Sequence, residues 1–184
     1  MKNSSVVRSA ASGKINVRMI VLVGLLAAMS IVFGKLLALN IGSAIRISFE
    51  NLPILMAGIF LGASAGFLTG VLADVVGCLI VGYSINPIIT LGAGCIGLVA
   101  GLLYRLLAEK KLPVRVYGSV MTAHVVGSMI IKSTGLMYFY HYTLARVAPR
   151  VPLYICIGIA ESTLILLLLK NKAFAAQIER LNQK

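Results

Sequence analysis

A few ionisable side chains lie inside long apolar segments of this sequence, and they are its first candidates for binding chemistry. Glu161 falls near the middle of one such segment, and Lys132 ends a stripe at spacing four that includes His124 and Ser128. An ionisable group within a membrane-spanning segment is costly, so it has a partner or a function. For Glu161 we favour a polar contact to a bound molecule over a hydrogen bond to a neighbouring helix.

Two interpretations stay open for Lys132. It lies near the outer end of its segment, where its side chain can extend towards the surface. Alternatively it faces inward, towards Glu161 or an anionic ligand. His124 lies deeper, and we interpret it as a packing residue rather than a proton carrier.

Polar residues at segment ends form a second candidate set. Asn86 and Thr90 share a helix face, although an Asn-Pro pair also forms an ordinary helix start. Arg46 lies in the loop RISFENLP, and Arg146 and Arg150 lie in YFYHYTLARVAPR. Arginine binds carboxylates through paired hydrogen bonds, so together these arginines suit an acidic ligand. For Arg146 and Arg150 individually, ordinary surface charge is the preferred interpretation.

Small residues at spacing four predict close helix packing. Gly62, Gly66 and Gly70 precede Asp74, and glycines at this spacing let another helix approach closely. We therefore predict a structural role for the three glycines and for Asp74, which would pair with a base or with hydroxyl groups between helices.

The composition places these residues in a membrane protein. The chain has 184 residues, of which 59% are hydrophobic and 12% charged, with a mean hydropathy of +0.98. Soluble domains are about 25% charged. The net charge of +12 does not indicate nucleic-acid binding, because the lysines and arginines cluster at the ends of apolar runs, as they do in membrane proteins.

The apolar pattern predicts one all-α domain over residues 1–184, an integral membrane six-helix bundle with an outward-facing ligand cavity. The basic residues concentrate in the N-terminal region, in the loop after the fourth helix and in the C-terminal region, which predicts that these parts are cytoplasmic. Residues 1–16 and 171–184 are the predicted cytoplasmic tails. The predicted helices cover residues 17–39, 52–61, 65–81, 86–107, 116–137 and 152–170.

Nothing in the sequence indicates catalysis or a cofactor. It lacks a GxxxxGK[ST] phosphate-binding loop, an HExxH motif and a GxSxG motif. The three cysteines have no spacing typical of a metal site or a disulfide framework. We therefore expect no enzyme activity, no metal and no cofactor.

The segments RISFENLP, GxxxGxxxD and YSINPIITLGAGCIGLVAGLL, within the six-helix pattern, resemble the substrate-binding S component of energy-coupling factor (ECF) transporters, and most closely the folate family. The resemblance implies a prokaryotic cell-membrane protein that binds a vitamin in an outward cavity. It also implies association with a transmembrane coupling protein and two ATPase subunits. In the family these partners dock through an AxxxA-type motif on the first helix, and the matching positions here are Gly24 and Ala28.

The resemblance makes folate the expected ligand, with riboflavin, thiamine or pantothenate as alternatives. A further alternative is a stand-alone proton-coupled secondary transporter that uses Asp74 or Glu161 as its proton site. In the folate hypothesis, basic groups meet the ligand's carboxylates and the remaining polar groups meet its heterocycle. The basic groups are Arg46, Lys132 and Arg146, and the polar groups are Asn86, Thr90 and Glu161.

Overall fold

Residues 17–41 and 45–171 are described by a computed structural model, in which helices account for nearly all of the structure. Two short strands, β1 (Leu39–Ile41) and β2 (Ile45–Ile47), form an antiparallel hairpin between the first two helices. The all-α fold class is confirmed, with this hairpin as a small addition. The helices are α1 (Val17–Leu36), α2 (Asn51–Leu61), α3 (Ala63–Val81), α4 (Pro87–Leu106), α5 (Leu112–Tyr140), α6 (Leu144–Val147) and α7 (Arg150–Lys170).

Most of these helices have the length and the apolar composition of membrane-spanning segments. Within the described residues, five helical segments are long and apolar enough to cross a membrane, and α6 with α7 counts as one of them. The shorter apolar helix α2 completes the bundle of six. Large apolar side chains such as Leu25, Leu68 and Ile159 are exposed on its outside, as lipid contact requires. The predicted tails lie outside the described residues, except for Asn171.

The helix boundaries follow from local sequence. The side chain of Asn86 accepts hydrogen bonds from the backbone N–H groups of Ile88 and Ile89, and Pro87 occupies the first position of α4. Both features favour a helix start. Gly62 separates α2 from α3 at a φ of 108°, a conformation that side-chain-bearing residues rarely adopt.

Glycine contacts hold α2, α3 and α4 together. A Cβ atom at Gly66 would lie 2.6 Å from both the Cα of Gly58 and the carbonyl oxygen of Gly97. One at Gly70 would overlap the carbonyl group of Ala93. Since only glycine permits such backbone approach, two residues of the predicted glycine series lie directly in the α3–α4 contact.

In the part of the chain that the structure describes, three helices contain π-helical turns, namely Val32–Leu36 in α1, Ala57–Leu61 in α2 and His124–Ile131 in α5. A π-helical turn places an extra residue in the helix and changes which face the following side chains occupy. Lys35 lies within the first of these turns, and Lys132 follows the third directly. The turns therefore help to decide where the two lysine side chains point.

Candidate functional site

A small polar cavity lies between the helices. The cavity is near the ends of α1 and α5 and the start of α2, and it contains two lysines and two carboxylates. Its lining residues are Ser30, Ile31, Gly34, Lys35, Glu50, Ile54, Ala73, Asp74, Ala93 and Lys132.

Lys132 faces this cavity and not the protein surface. Its side chain is 7% exposed, and its Nζ lies 3.4 Å from Oε1 of Glu50 and donates at 3.4 Å to Oδ1 of Asn51. Of the two interpretations left open by the sequence, the inward orientation is the observed one. Its partner, however, is Glu50 at the start of α2, whereas the sequence suggested Glu161 or a ligand.

Glu50 is held from two further directions. The Ser30 hydroxyl donates to its backbone carbonyl oxygen at 2.6 Å. On the α1 side its side chain passes over Gly34, where a Cβ atom would lie 2.8 Å from Oε2 of Glu50. The carboxylate therefore occupies a narrow space between α1 and Lys132.

Asp74 is the second carboxylate of the cavity. Its Oδ2 accepts a hydrogen bond of 2.6 Å from the hydroxyl of Thr90, which connects α3 to α4. This contact is of the kind predicted for a structural Asp74, but the same residue also lines the cavity. Thr90 is buried and is connected to the cavity through this hydrogen bond.

Lys35 is the second cavity lysine. Its Nζ lies 5.4 Å from the centre of the Tyr83 ring, which is within the range of a cation–π interaction. A Cβ atom at Gly77 of α3 would come within 3.2 Å of its Cε. Similarly, a Cβ atom at Gly92 of α4 would lie 2.8 Å from Cγ of Lys132. Each lysine stem thus crosses a neighbouring helix at a glycine.

Two buried amide groups near the site lack a partner for their nitrogen among the described residues. They are Nδ2 of Asn51 and Nδ2 of Asn86. Asn51 is 1% exposed and its other amide atom accepts from Lys132. A buried donor without an acceptor is costly, so Asn51 offers a hydrogen bond next to the cavity.

Glu161 lies in a separate buried cluster between α5 and α7. Its Oε2 is 2.6 Å from Nε2 of His124, and neither side chain is exposed. Nδ1 of His124 is 3.2 Å from the hydroxyl of Ser128, and its ring stacks on Tyr154. Glu161 is not among the residues that line the cavity, and His124 has the partners expected of a packing residue.

Arg146 and Arg150 are not among the residues that line the cavity, and the side chain of Arg46 lies outside the described part of the chain. The backbone of Arg46 lies in β2 opposite Asn40. The guanidinium of Arg146 lies 4.2 Å from the centre of the Tyr142 ring, and Arg150 donates to the hydroxyl of Tyr154 at 3.1 Å. The predicted ligand contacts of Arg46 and Arg146 therefore stay predictions.

Gly24 and Ala28 lie on the exposed side of α1. A Cβ atom at Gly24 would meet no other atom within 4 Å. The predicted docking positions are therefore accessible from outside the bundle. In the described part of the chain, no three His, Cys, Asp or Glu residues lie close enough together to hold a metal ion.

Sequence reasoning missed Lys35 and Glu50 as site residues. Glu50 lies in the loop RISFENLP, where the sequence pattern predicts a ligand contact only for Arg46. A useful signal was available, because the whole chain contains only five acidic residues, and a carboxylate beside an apolar segment is therefore informative. Lys35 could be found as a lysine near the end of the first apolar run.

One family model and several solved structures are similar to this chain. The family model described as ECF-type riboflavin transporter, S component, matches residues 14–171. The crystal structure of FolT bound with folic acid is similar at 26% sequence identity and a TM-score of 0.68, over 85% of this chain and 95% of that chain. A structure of the S component of a bacterial ECF transporter is similar at 18% identity and a TM-score of 0.64, with the same coverage. No curated protein matches the sequence.

Proposed function

Because the chain belongs to the ECF-type riboflavin transporter S component family, we propose that it is the vitamin-binding subunit of an ECF importer and that folate is its ligand. The observation that carries this proposal is the polar cavity between α1, α2, α3 and α5, with its two lysines and two carboxylates. Such a charged cavity inside an apolar bundle is expected at a substrate site.

The likeness to FolT supports folate as the ligand, and its identity of 26% makes it the nearer of the two structural comparisons in sequence. The family model, by its description, favours riboflavin as the second candidate. Both vitamins carry a flat heterocycle with N–H and C=O groups along one edge. Thiamine and pantothenate remain alternatives without a specific observation in their favour.

In this proposal the ligand is held by Lys132 and by the cavity residues Lys35, Glu50 and Asp74. Thr90 orients Asp74, and Asn86 places the start of α4 beside the site. Arg46 and Arg146 would contact the ligand from the outer loops. For Glu161 the hydrogen bond to His124 supports a structural role in place of the ligand contact that the sequence suggested.

The orientation follows from charge. Arg105, Lys110 and Lys111 lie at or beyond the end of α4, opposite the cavity, and lysine and arginine concentrate on the cytoplasmic side of membrane proteins. The cavity therefore opens outward, and both termini are cytoplasmic. The chain has no phosphate-binding loop, so energy would come from a transmembrane coupling protein and two ATPase subunits that dock at Gly24 and Ala28.

The test is to purify the protein in detergent, release any bound ligand by denaturation and identify it by mass spectrometry. Calorimetric titration of the ligand-free protein with folic acid, riboflavin, thiamine and pantothenate then ranks the four vitamins. We expect folic acid to bind most tightly. Tighter binding of riboflavin would transfer the assignment to the second candidate, and binding of none of the four would contradict the proposal.

A second measurement separates this function from a stand-alone transporter that uses Asp74 or Glu161 as a proton site. The purified protein alone is placed in proteoliposomes with a proton gradient and labelled folic acid. We expect binding without accumulation. Gradient-driven accumulation that is lost in Asp74→Asn or Glu161→Gln would favour the proton-coupled alternative.

A further inference from the structure

We propose that Glu50 selects ligands by charge, so that the cavity accepts an uncharged heterocyclic edge and rejects a carboxylate at the same place. The inference rests on the proposed function, because it takes this cavity to be the vitamin site. It goes further by naming the part of the ligand that enters and the residue that enforces the choice.

The first argument is the balance of charge in the cavity. Among the described lining residues, the positive charges of Lys35 and Lys132 are matched by the negative charges of Glu50 and Asp74. Lys132 already faces a carboxylate, since its Nζ lies 3.4 Å from Oε1 of Glu50. An anionic group that approached Lys132 would therefore lie close to Glu50 as well. Repulsion between like charges is strong in a site with little water.

The second argument is that Glu50 has little room to withdraw. Its backbone carbonyl accepts the hydrogen bond from Ser30, which anchors the residue to α1. Its side chain lies against Gly34, with Oε2 only 2.8 Å from the position of an added Cβ atom. A ligand carboxylate thus cannot take the place of the Glu50 carboxylate without disturbing these contacts.

The third argument is the pattern of donors and acceptors. Lys132, Lys35 and Nδ2 of Asn51 donate hydrogen bonds, and Nδ2 of Asn51 has no acceptor among the described residues. The carboxylates of Glu50 and Asp74 accept them. A flat ring with adjacent N–H and C=O groups complements both kinds of group at once, and it adds no net charge to the cavity.

For folic acid, this places an uncharged edge of the pterin at the cavity and leaves the glutamate tail outside it. The test divides the ligand into its two halves. One probe is 6-hydroxymethylpterin, which is uncharged at neutral pH, and the other is p-aminobenzoylglutamate, which carries two carboxylates. Each is titrated against the wild-type protein in competition with labelled folic acid. We expect the pterin to compete and the glutamate half to compete at least about tenfold less well.

Two variants then test Glu50 itself. Glu50→Gln removes its charge with little change of shape. We expect it to weaken pterin binding by about tenfold, because charge-assisted hydrogen bonds are the stronger ones. It should strengthen binding of the glutamate half, because the carboxylate nearest to Lys132 is then uncharged. Gly34→Ala displaces the Glu50 side chain but keeps its charge, so it should weaken pterin binding without any gain for the glutamate half.

Glu109→Gln is the matched control, since Glu109 is an exposed carboxylate in the loop after α4, and it should change neither affinity. The inference is overturned if the glutamate half competes better than the pterin in the wild-type protein, which requires no variant. It is also overturned if Glu50→Gln behaves like Glu109→Gln. These results differ from failure of the proposed function, in which the wild-type protein binds no vitamin.

If riboflavin proves to be the ligand, lumichrome replaces the pterin as the uncharged probe, since it keeps the edge of the ring and lacks the side chain. Competition by lumichrome that weakens in Glu50→Gln and not in Glu109→Gln supports the inference. Equal competition in both variants overturns it.

Discussion

Three carboxylates lie between the helices of the described part of the chain, and each of them contacts a polar partner. Glu50 pairs with Lys132, Asp74 with Thr90, and Glu161 with His124. Burying a charge without a partner is much more costly than burying a paired one. The first two pairs belong to the cavity and the third is separate from it. Polar pairs of the same kind therefore occur both at the proposed ligand site and in the packing between α5 and α7.

Lys132 is the residue whose loss should most affect binding. We expect Lys132→Met to reduce ligand affinity by about tenfold to a hundredfold, because a hydrogen bond to a charged group contributes about 1.5–3 kcal/mol. The apolar stem is kept, so packing against Gly92 is preserved. Calorimetric titration with folic acid measures the effect.

The control for this prediction is Lys110→Met, which removes an exposed lysine from the loop after α4. It should leave the affinity unchanged. Equal affinity of the Lys132→Met and wild-type proteins would remove Lys132 from the proposed site.

Glu161 is expected to contribute to stability and not to binding. Removal of one partner of a buried hydrogen bond leaves the other unsatisfied at a cost of about 1–3 kcal/mol, so Glu161→Ala should lower the thermal unfolding temperature clearly. Because Glu161 does not line the cavity, the folded fraction should bind folic acid with an affinity within about twofold of wild type, a difference well below 1.4 kcal/mol.

The control is Leu164→Ala on the exposed side of the same helix, which should change the unfolding temperature much less. A loss of affinity in Glu161→Ala, without a change in unfolding temperature, would return Glu161 to the set of ligand contacts.

At the scale of the helices, the α3–α4 contact depends on the absence of side chains. Gly70→Val would place its Cβ in the carbonyl group of Ala93. Overpacked sites usually cost about 1–3 kcal/mol. We expect a larger loss of stability in Gly70→Val, because the backbone of Ala93 cannot rotate away from the new side chain as another side chain could. The yield of monodisperse protein in size-exclusion chromatography measures it.

Gly24→Val is the matched control for this glycine, since an added Cβ there meets nothing within 4 Å. Its yield should equal that of the wild type. Normal yield and stability of Gly70→Val would contradict the prediction, because they would show that α3 and α4 can move apart at this contact without a loss of stability.

The helices themselves were largely predictable, whereas the direction of individual side chains was not. Hydropathy gives α1 to α5 and α7 because lipid demands long apolar runs. The spacing of His124, Ser128 and Lys132 predicts one stripe on a regular helix. In the structure a π-helical turn spans His124–Ile131, so His124 faces α7 while Lys132 faces the cavity. Residue spacing assumes a regular helix and cannot reveal such a turn.

The site was less predictable for a related reason. The cavity pairs residues that are distant in sequence, such as Glu50 with Lys132, and nothing in the apolar pattern specifies such a pair. Composition identifies which groups are costly to bury, and Lys132 was found in this way. The residue that pairs with Lys132 depends on how α2 enters the bundle. The hairpin β1–β2 leads into α2, and its strands of three residues are too short to be recognised from the sequence.

At the scale of the whole molecule, binding and energy coupling are expected at different surfaces. The cavity lies beside the C-terminal end of α1. Gly24, in the N-terminal half of α1, and Ala28, just past its middle, lie on the exposed side of the same helix. A partner helix can approach closely where side chains are small. Because α1 also carries Lys35 to the cavity, one helix contacts both the ligand and the proposed partner surface.

This separation gives a last prediction. Gly24→Trp should leave folic acid affinity unchanged, because no cavity residue is altered, and it should abolish co-purification with the coupling protein and its ATPases. Ile159→Trp on the exposed side of α7 adds the same bulk to a different lipid-facing surface and should retain the complex. If both variants retain it, the partners do not dock at Gly24; if both lose it, bulk anywhere on the bundle prevents assembly. Loss in Gly24→Trp alone would make α1 the helix through which the coupling module engages this subunit.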